Sequence, residues 1–168
     1  EFPSYPSLPA PCLSWACRCA SVRARGPRGG GRLLPSALGG GLCSVGMDVR
    51  LVGQIPTPGL AYLSRTQDVS FGAVISASHN PAPDNGIKFF DHRGLKLPDA
   101  VEDEIEAALG RDGSLPRPTE DGIGLVGDVR GLVKETEDFL GRLAPRWDGL
   151  KSVLDCANGA PERVAPPV

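Results

Sequence analysis

Gly72-Ala73-Val74-Ile75-Ser76-Ala77-Ser78-His79-Asn80-Pro81, continuing through Asp84-Asn85-Gly86-Ile87-Lys88-Phe89-Phe90, is the stretch on which the reading of this chain turns. Phe71–Ser76 is a run of mostly apolar residues, the kind buried on both faces of a sheet. Ile87–Phe90 is a second strand. The residues between them are polar and rich in turn formers, with Asn80-Pro81 and Asn85-Gly86 both favouring a reversal of direction. The pattern therefore predicts a hairpin that brings Ser78, His79 and Lys88 together at its tip. That set suits phosphoryl transfer. A serine oxygen accepts and returns a phosphoryl group, a cation steadies the charge on its oxygens, and a lysine moves a proton to or from a hydroxyl.

Outward from this loop the chain alternates strands with helices. On the N-terminal side, Leu34, Ala37, Leu38 and Leu42 suggest a short helix, and Asp48–Val52 alternates like a strand before Gly53. Pro58, placed in a first helical turn, opens a helix running to about Thr66, because a proline there forfeits no helical hydrogen bond. On the C-terminal side, Asp99–Leu109 is a helix with an apolar stripe of Val101, Ile105, Ala108 and Leu109. Asp99 and Glu102 form a capping-box-like pair at its start, and Gly110 stops it. Residues 111–128 read as a loop. Leu132, Thr136, Phe139, Leu140 and Leu143 mark another helix ending before Pro145, and Ser152–Ala157 reads as a last strand. The whole predicts an α/β fold, a layered mixed sheet with helices on both faces.

Composition sets the limits. The chain has 168 residues, a hydrophobic share of 40% and a net charge of −2, so nothing advertises a nucleic-acid partner. No apolar run is long enough to cross a bilayer, and no basic stretch precedes an apolar one as in a secretory signal. The expectation is a cytoplasmic protein with no membrane or nucleic-acid partner. Its oligomeric state stays open.

Residues 1–46 differ from the remainder. They carry five arginines, no lysine and one acid, for about +4, against about −6 for residues 47–168. They also hold Cys12, Cys17, Cys19 and Cys43 and two Gly-Gly-Gly runs. Without a nearby histidine or a C-x-x-C pair, the cysteines do not make a metal site. No helical or strand period is sustained before Leu33. Residues 1–32 are therefore expected to be a solvated, aberrant or disordered segment. Their composition, and the opening Glu-Phe, also suit vector sequence joined to a GC-rich gene read in another frame.

The loop carries a resemblance. Ser76-Ala77-Ser78-His79-Asn80-Pro81 followed by Asp84-Asn85-Gly86-Ile87-Lys88 resembles the active-site loop of the α-D-phosphohexomutases. Ile75-Ser76 and Ile87-Lys88-Phe89-Phe90 are most similar to its phosphoglucosamine mutase branch, ahead of phosphomannomutases and phosphoglucomutases. Val45–Leu63, with Ile55-Pro56-Thr57-Pro58-Gly59, and Asp155-Cys156-Ala157-Asn158-Gly159-Ala160 extend the likeness over about residues 33–168. The resemblance implies that Ser78 becomes a phosphoserine and binds Mg²⁺ through its phosphate. It makes Lys88 a general acid/base and has His79 line the site. Asn80, Asp84 and Asn85 would shape the loop. The implied reaction interconverts glucosamine 6-phosphate and glucosamine 1-phosphate through a bisphosphorylated sugar, on the way to cell-wall precursors. The implied domains are a partial first domain over 33–145 and the start of a similar second one over 146–168.

The family pattern is broken in places. A Gly-Thr-Asp-Gly-x-Arg opening and the Asp-x-Asp-x-Asp-Arg metal loop do not occur in these residues. Pro161-Glu162 stands where small or aromatic residues are expected. Ser76 is expected to be structural, His92 a turn residue and Cys156 a buried small hydrophobe. With no carboxylate cluster beside Ser78, the 168-residue chain is expected to be inactive alone.

Overall fold

The structure is a computed structural model that describes residues 18–22, 33–76, 80–81, 84–110, 115–143, 149, 151–156 and 159–165. Its frame is a five-stranded sheet. The strands are β1 (Arg18–Val22), β2 (Asp48–Leu51), β3 (Phe71–Ile75), β4 (Ile87–Asp91) and β5 (Val126–Asp128), in the spatial order β4-β3-β1-β2-β5. β1 pairs in parallel with both β2 and β3, β5 runs parallel to β2, and β4 is antiparallel to β3. The sheet is mixed, as expected.

Helices α1 (Leu33–Ser44) and α2 (Thr57–Thr66) make the two crossovers, from β1 to β2 and from β2 to β3. The chain steps one way from β1 and then reverses past it. Right-handed crossovers in opposite directions put the two helices on opposite faces. α1 rests on β1 and β2, while α2 rests on β3 and β4. After α3 (Asp99–Ala108), α4 (Val133–Leu143) joins α2 on its face, where Tyr62 stacks on Phe139 with ring centroids 4.2 Å apart. A short α5 (Pro161–Val164) follows.

The core lies on the α2 face. Val52, Ile55, Leu60, Leu63, Val74 and Phe90 form one buried cluster, with Leu132 and Val133 packed against it. Leu60 and Leu63 come from one stripe of α2, Val74 from β3 and Phe90 from β4. β3 has Ala73, Val74 and Ile75 buried, which bears out its reading as a strand covered on both faces.

Several expectations need correction. Residues 18–22, expected to lack regular structure, are the central strand. Backbone pairing on both sides stabilises it, whereas Arg-Cys-Ala-Ser-Val among glycines and prolines carries little strand propensity of its own. The loop expected over 111–128 contains β5, an edge strand whose three residues are all exposed and so leave no apolar alternation to read. Asp99 does not cap α3. Pro98 holds the cap position with no side-chain hydrogen bond, and Asp99 and Glu102 instead take the Lys96 ammonium at 3.2 and 2.7 Å. The stripe of α3 is not buried either, since Ile105 is 38% and Leu109 75% exposed. The strand expected at Ser152–Ala157 does not form over its described residues 152–156, and Val153 is fully exposed. No strand in the sheet pairs with it, and an unpaired extended segment gains no ladder hydrogen bonds.

Candidate active-site loop and its rim

β3 and β4 form the expected hairpin. Their register runs from Phe71 opposite Asp91 to Ile75 opposite Ile87, with Val74 opposite Lys88. One rung beyond, the Ser76 N–H donates to the Gly86 carbonyl at 2.8 Å. That latch extends the hairpin's pairing to Ser76 and Gly86. Beyond it, the Asp84 N–H donates to the Pro81 carbonyl at 3.0 Å, the turn that Asn80-Pro81 predicted. Ser76 is structural at its backbone, as expected.

Asn80, Asp84 and Asn85 sit on this loop and are exposed. Lys88 stands at its foot, half-buried. Side chains alternate along a strand, so Lys88 shares a face with Phe90, which belongs to the α2 core. It lies opposite the fully buried Val74, among packed apolar residues. Lys88 makes no ion pair with a described residue. Ser78 and His79 lie outside the described residues. His92 is an exposed turn residue, as expected. Cys156 is half-buried in irregular chain rather than buried in a strand.

The far end of β4 is firmly held. The Asp91 carboxylate accepts the Arg93 and Leu95 N–H groups at 2.9 and 3.0 Å and pairs with the Arg93 guanidinium at 2.7 Å. Burial alone would raise its pKa. The Leu95 amide, then the Arg93 guanidinium and amide, outweigh that and hold the carboxyl below its ordinary range. On the other face, burial and the nearby Asp48 push the Cys43 thiol up, so it is an inert packing residue.

The loop leaves the carboxyl end of β3, beside β1, where the order of strands reverses. Ligands of open α/β sheets bind outside the carboxyl ends of the strands at such a reversal. Sequence reading did not find the rest of this rim. Gly53 follows β2 with φ +93°, and a side chain there would meet the Arg130 Cγ at 3.1 Å. The signal for it was a glycine directly after a strand. Among the described residues no group of three His, Cys, Asp or Glu side chains is placed to hold a metal ion.

Known proteins agree with this architecture. Residues 24–115 match the family described as phosphoglucomutase/phosphomannomutase, alpha/beta/alpha domain I. The phosphoglucosamine mutase of Desulforudis audaxviator is 49% identical over 151 residues, covering 89% of this chain and 34% of the relative. That of Streptococcus mutans is 49% identical over 138 residues, covering 82% and 31%. Among solved structures, a phosphoglucomutase/phosphomannomutase family protein from Burkholderia thailandensis superposes with a TM-score of 0.71 at 26% identity, covering 88% of this chain and 32% of that one. The chain spans about a third of the length of these relatives. Because a match over 89% of 168 residues omits only about 18 of them, the likeness reaches into residues 1–32. Foreign sequence cannot account for that whole segment. With the sheet order, the latched serine loop and these matches in agreement, the chain belongs to the phosphoglucomutase/phosphomannomutase family through its α/β/α domain I.

Proposed function

We propose that this chain carries the phosphoserine loop of a phosphoglucosamine mutase, which interconverts glucosamine 6-phosphate and glucosamine 1-phosphate. The observation that supports the reading is the latch between Ser76 and Gly86, which closes the β3–β4 hairpin on either side of the Ser-His-Asn-Pro sequence, with Lys88 on β4. Identity of 49% to mutases of that name supports the amino-sugar branch over the phosphomannomutases and phosphoglucomutases.

In this reading the Ser78 Oγ–P bond breaks as a sugar hydroxyl oxygen bonds to the phosphorus, giving a bisphosphorylated sugar. Lys88, neutral at the outset, takes the proton that the hydroxyl loses and passes it to the departing Ser78 Oγ, and the reverse transfer from the sugar's other phosphate restores phosphoserine. His79 lines the site, and Asn80, Asp84 and Asn85 hold the loop's shape. Mg²⁺ would bind the Ser78 phosphate. The described residues supply no carboxylate cage for it, and one phosphate is a poor cage for a hard cation. Residues 33–145 are assigned to the first domain, with β1 added from the segment before them, and 146–168 to the start of a second. The setting is the cytoplasm.

Intact mass after incubation with glucosamine 1,6-bisphosphate tests the assignment. A gain of about 80 Da, one phosphoryl group, is expected on Ser78 and on no other residue. Ser78→Ala should abolish it. An unmodified wild-type chain, or the same adduct on Ser78→Ala, would overturn the reading.

A further inference from the structure

The geometry points to a second sugar-phosphate subsite on the same rim, in the pocket between the carboxyl ends of β2 and β5, selective for a sugar that carries both an amine and a phosphate. This rests on the substrate class proposed above and names where else on the chain that substrate is recognised. The pocket is an open cleft of about 280 Å³, lined by Val52, Gly53, Gln54, Arg130, Val133 and Glu137. Its volume lies near the lower end of the roughly 300–1,000 Å³ usual for small-molecule sites, which suits a hexose better than a nucleotide.

Register places the pocket level with the serine loop. Ser21 is opposite both Leu51 and Ala73, and Leu51 is opposite Asp128. Two residues past the ends of β2 and β5 come Gly53 and Arg130, while β3 runs on to Ile75, opposite Ile87. β2 and β3 are two strand spacings apart, about 10 Å. The pocket also lies on the α2/α4 side, since Val133 and Glu137 come from α4, and Lys88 emerges on that side too.

The lining chemistry selects the ligand. The Arg130 stem lies across Gly53, where the positive φ and the 3.1 Å approach both require a glycine. Asp128 steadies the guanidinium at 2.9 Å, and the Arg130 N–H donates to Asp128 at 3.1 Å. The planar fork suits a phosphate. Glu137 offers a carboxylate for an ammonium and Gln54 an amide for hydroxyls, while Val52 and Val133 supply an apolar wall. A simple anion would meet Glu137 unfavourably and a simple amine would meet Arg130 unfavourably. A ligand carrying both charges satisfies both residues.

Titrating the full 168-residue chain, observed through its amide resonances, tests the inference with glucosamine 6-phosphate, glucose 6-phosphate and inorganic phosphate as probes. Glucosamine 6-phosphate should shift Gly53, Gln54 and Arg130 and bind about tenfold more tightly than glucose 6-phosphate, as one charge-assisted contact implies. Arg130→Gln should weaken both sugars about tenfold, and Glu137→Gln should erase the preference for the amine. Arg130 is exposed and Glu137 half-buried, and unchanged spectra elsewhere confirm that the variants fold. Equal binding of all three probes, shifts confined to the serine loop, or no effect of Arg130→Gln would each overturn the subsite. Phosphorylation of Ser78 is read separately by mass, so loss of the subsite and loss of the mutase assignment are distinguishable.

Discussion

Asp91 shows how a single side chain fixes the end of the hairpin that carries the loop. Its carboxylate takes two backbone amides and a guanidinium, and those partners favour the charged form. With the folded pKa held below the unfolded value of about 3.9, the contribution is fully present above that value and is lost as pH falls through the folded pKa. Asp91→Ala should therefore cost about 1–2 kcal/mol at pH 7, and the gap to wild type should close below about pH 4. Urea titrations at pH 7 and pH 3 measure it, and a gap that is constant with pH would contradict the electrostatic account. Ser64 is the opposite case. Its hydroxyl is fully buried without a partner and lies directly against Gly72 of β3. Ser64→Ala should be neutral or stabilise by up to about 1 kcal/mol, because an unsatisfied hydroxyl costs free energy to bury. Gly72→Ala should destabilise by about 1–3 kcal/mol through overpacking. The double variant should recover most of that loss, and a purely additive result in thermal melts would show that the two sites do not touch.

Elements were legible where their own residues reported their surroundings. β3 buries the apolar run that its sequence shows, and its Val74 meets Leu60 and Leu63 of α2 in the core. Truncating Leu60 should cost about 2–5 kcal/mol, since it is completely buried and leaves a cavity between α2 and the hairpin. Its loss should also loosen the base on which Lys88 stands, so amide exchange in β4 should accelerate more than in β5. Equal acceleration in both would mean that the two strands open as one unit. β1 and β5 were illegible for different reasons. β1 is held by backbone pairing to two neighbours, which leaves little trace in side-chain pattern, and β5 is too short and exposed to alternate. α3 misled in another way: Val101, Ile105 and Leu109 have the spacing of a buried stripe, yet only Val101 is partly covered and the other two are exposed. At the site, the serine loop could be read from its turn formers and hydroxyls. The row of Gly53 and Arg130 depends on register between strands far apart in sequence, which no local pattern encodes.

At the scale of the molecule, the sheet and its long helices lie within residues 18–143, and the described residues after them are mixed, exposed around Val153 and Leu154 but buried at Val164. Residues 18–143 supply all five strands and the four longer helices, whereas Val153 and Leu154 are exposed and the extended segment around them pairs with no strand of the sheet. An apolar segment in that condition contributes no burial to stability, and its backbone is open to a protease. Lys151 is exposed at the start of that segment, while Lys88 lies within the ladder of β4 and is half-buried. Brief digestion with trypsin should therefore cut after Lys151 well before it cuts after Lys88. The N-terminal product should stay folded but melt somewhat below the uncut chain, because the core cluster runs from Val52 to Phe90 with its outer partners ending at Val133, while the buried Val164 is cut away. The same division bears on catalysis. Phosphoryl transfer needs charge stabilisation around the transferred group from several sides, and the described residues place only Lys88 beside the loop, with no carboxylate cluster for a metal. The 168-residue polypeptide should accept phosphate on Ser78 yet show no multiple turnover of glucosamine 6-phosphate. Sustained turnover by a purified preparation, lost in Ser78→Ala, would mean that this sheet and its rim suffice for the reaction.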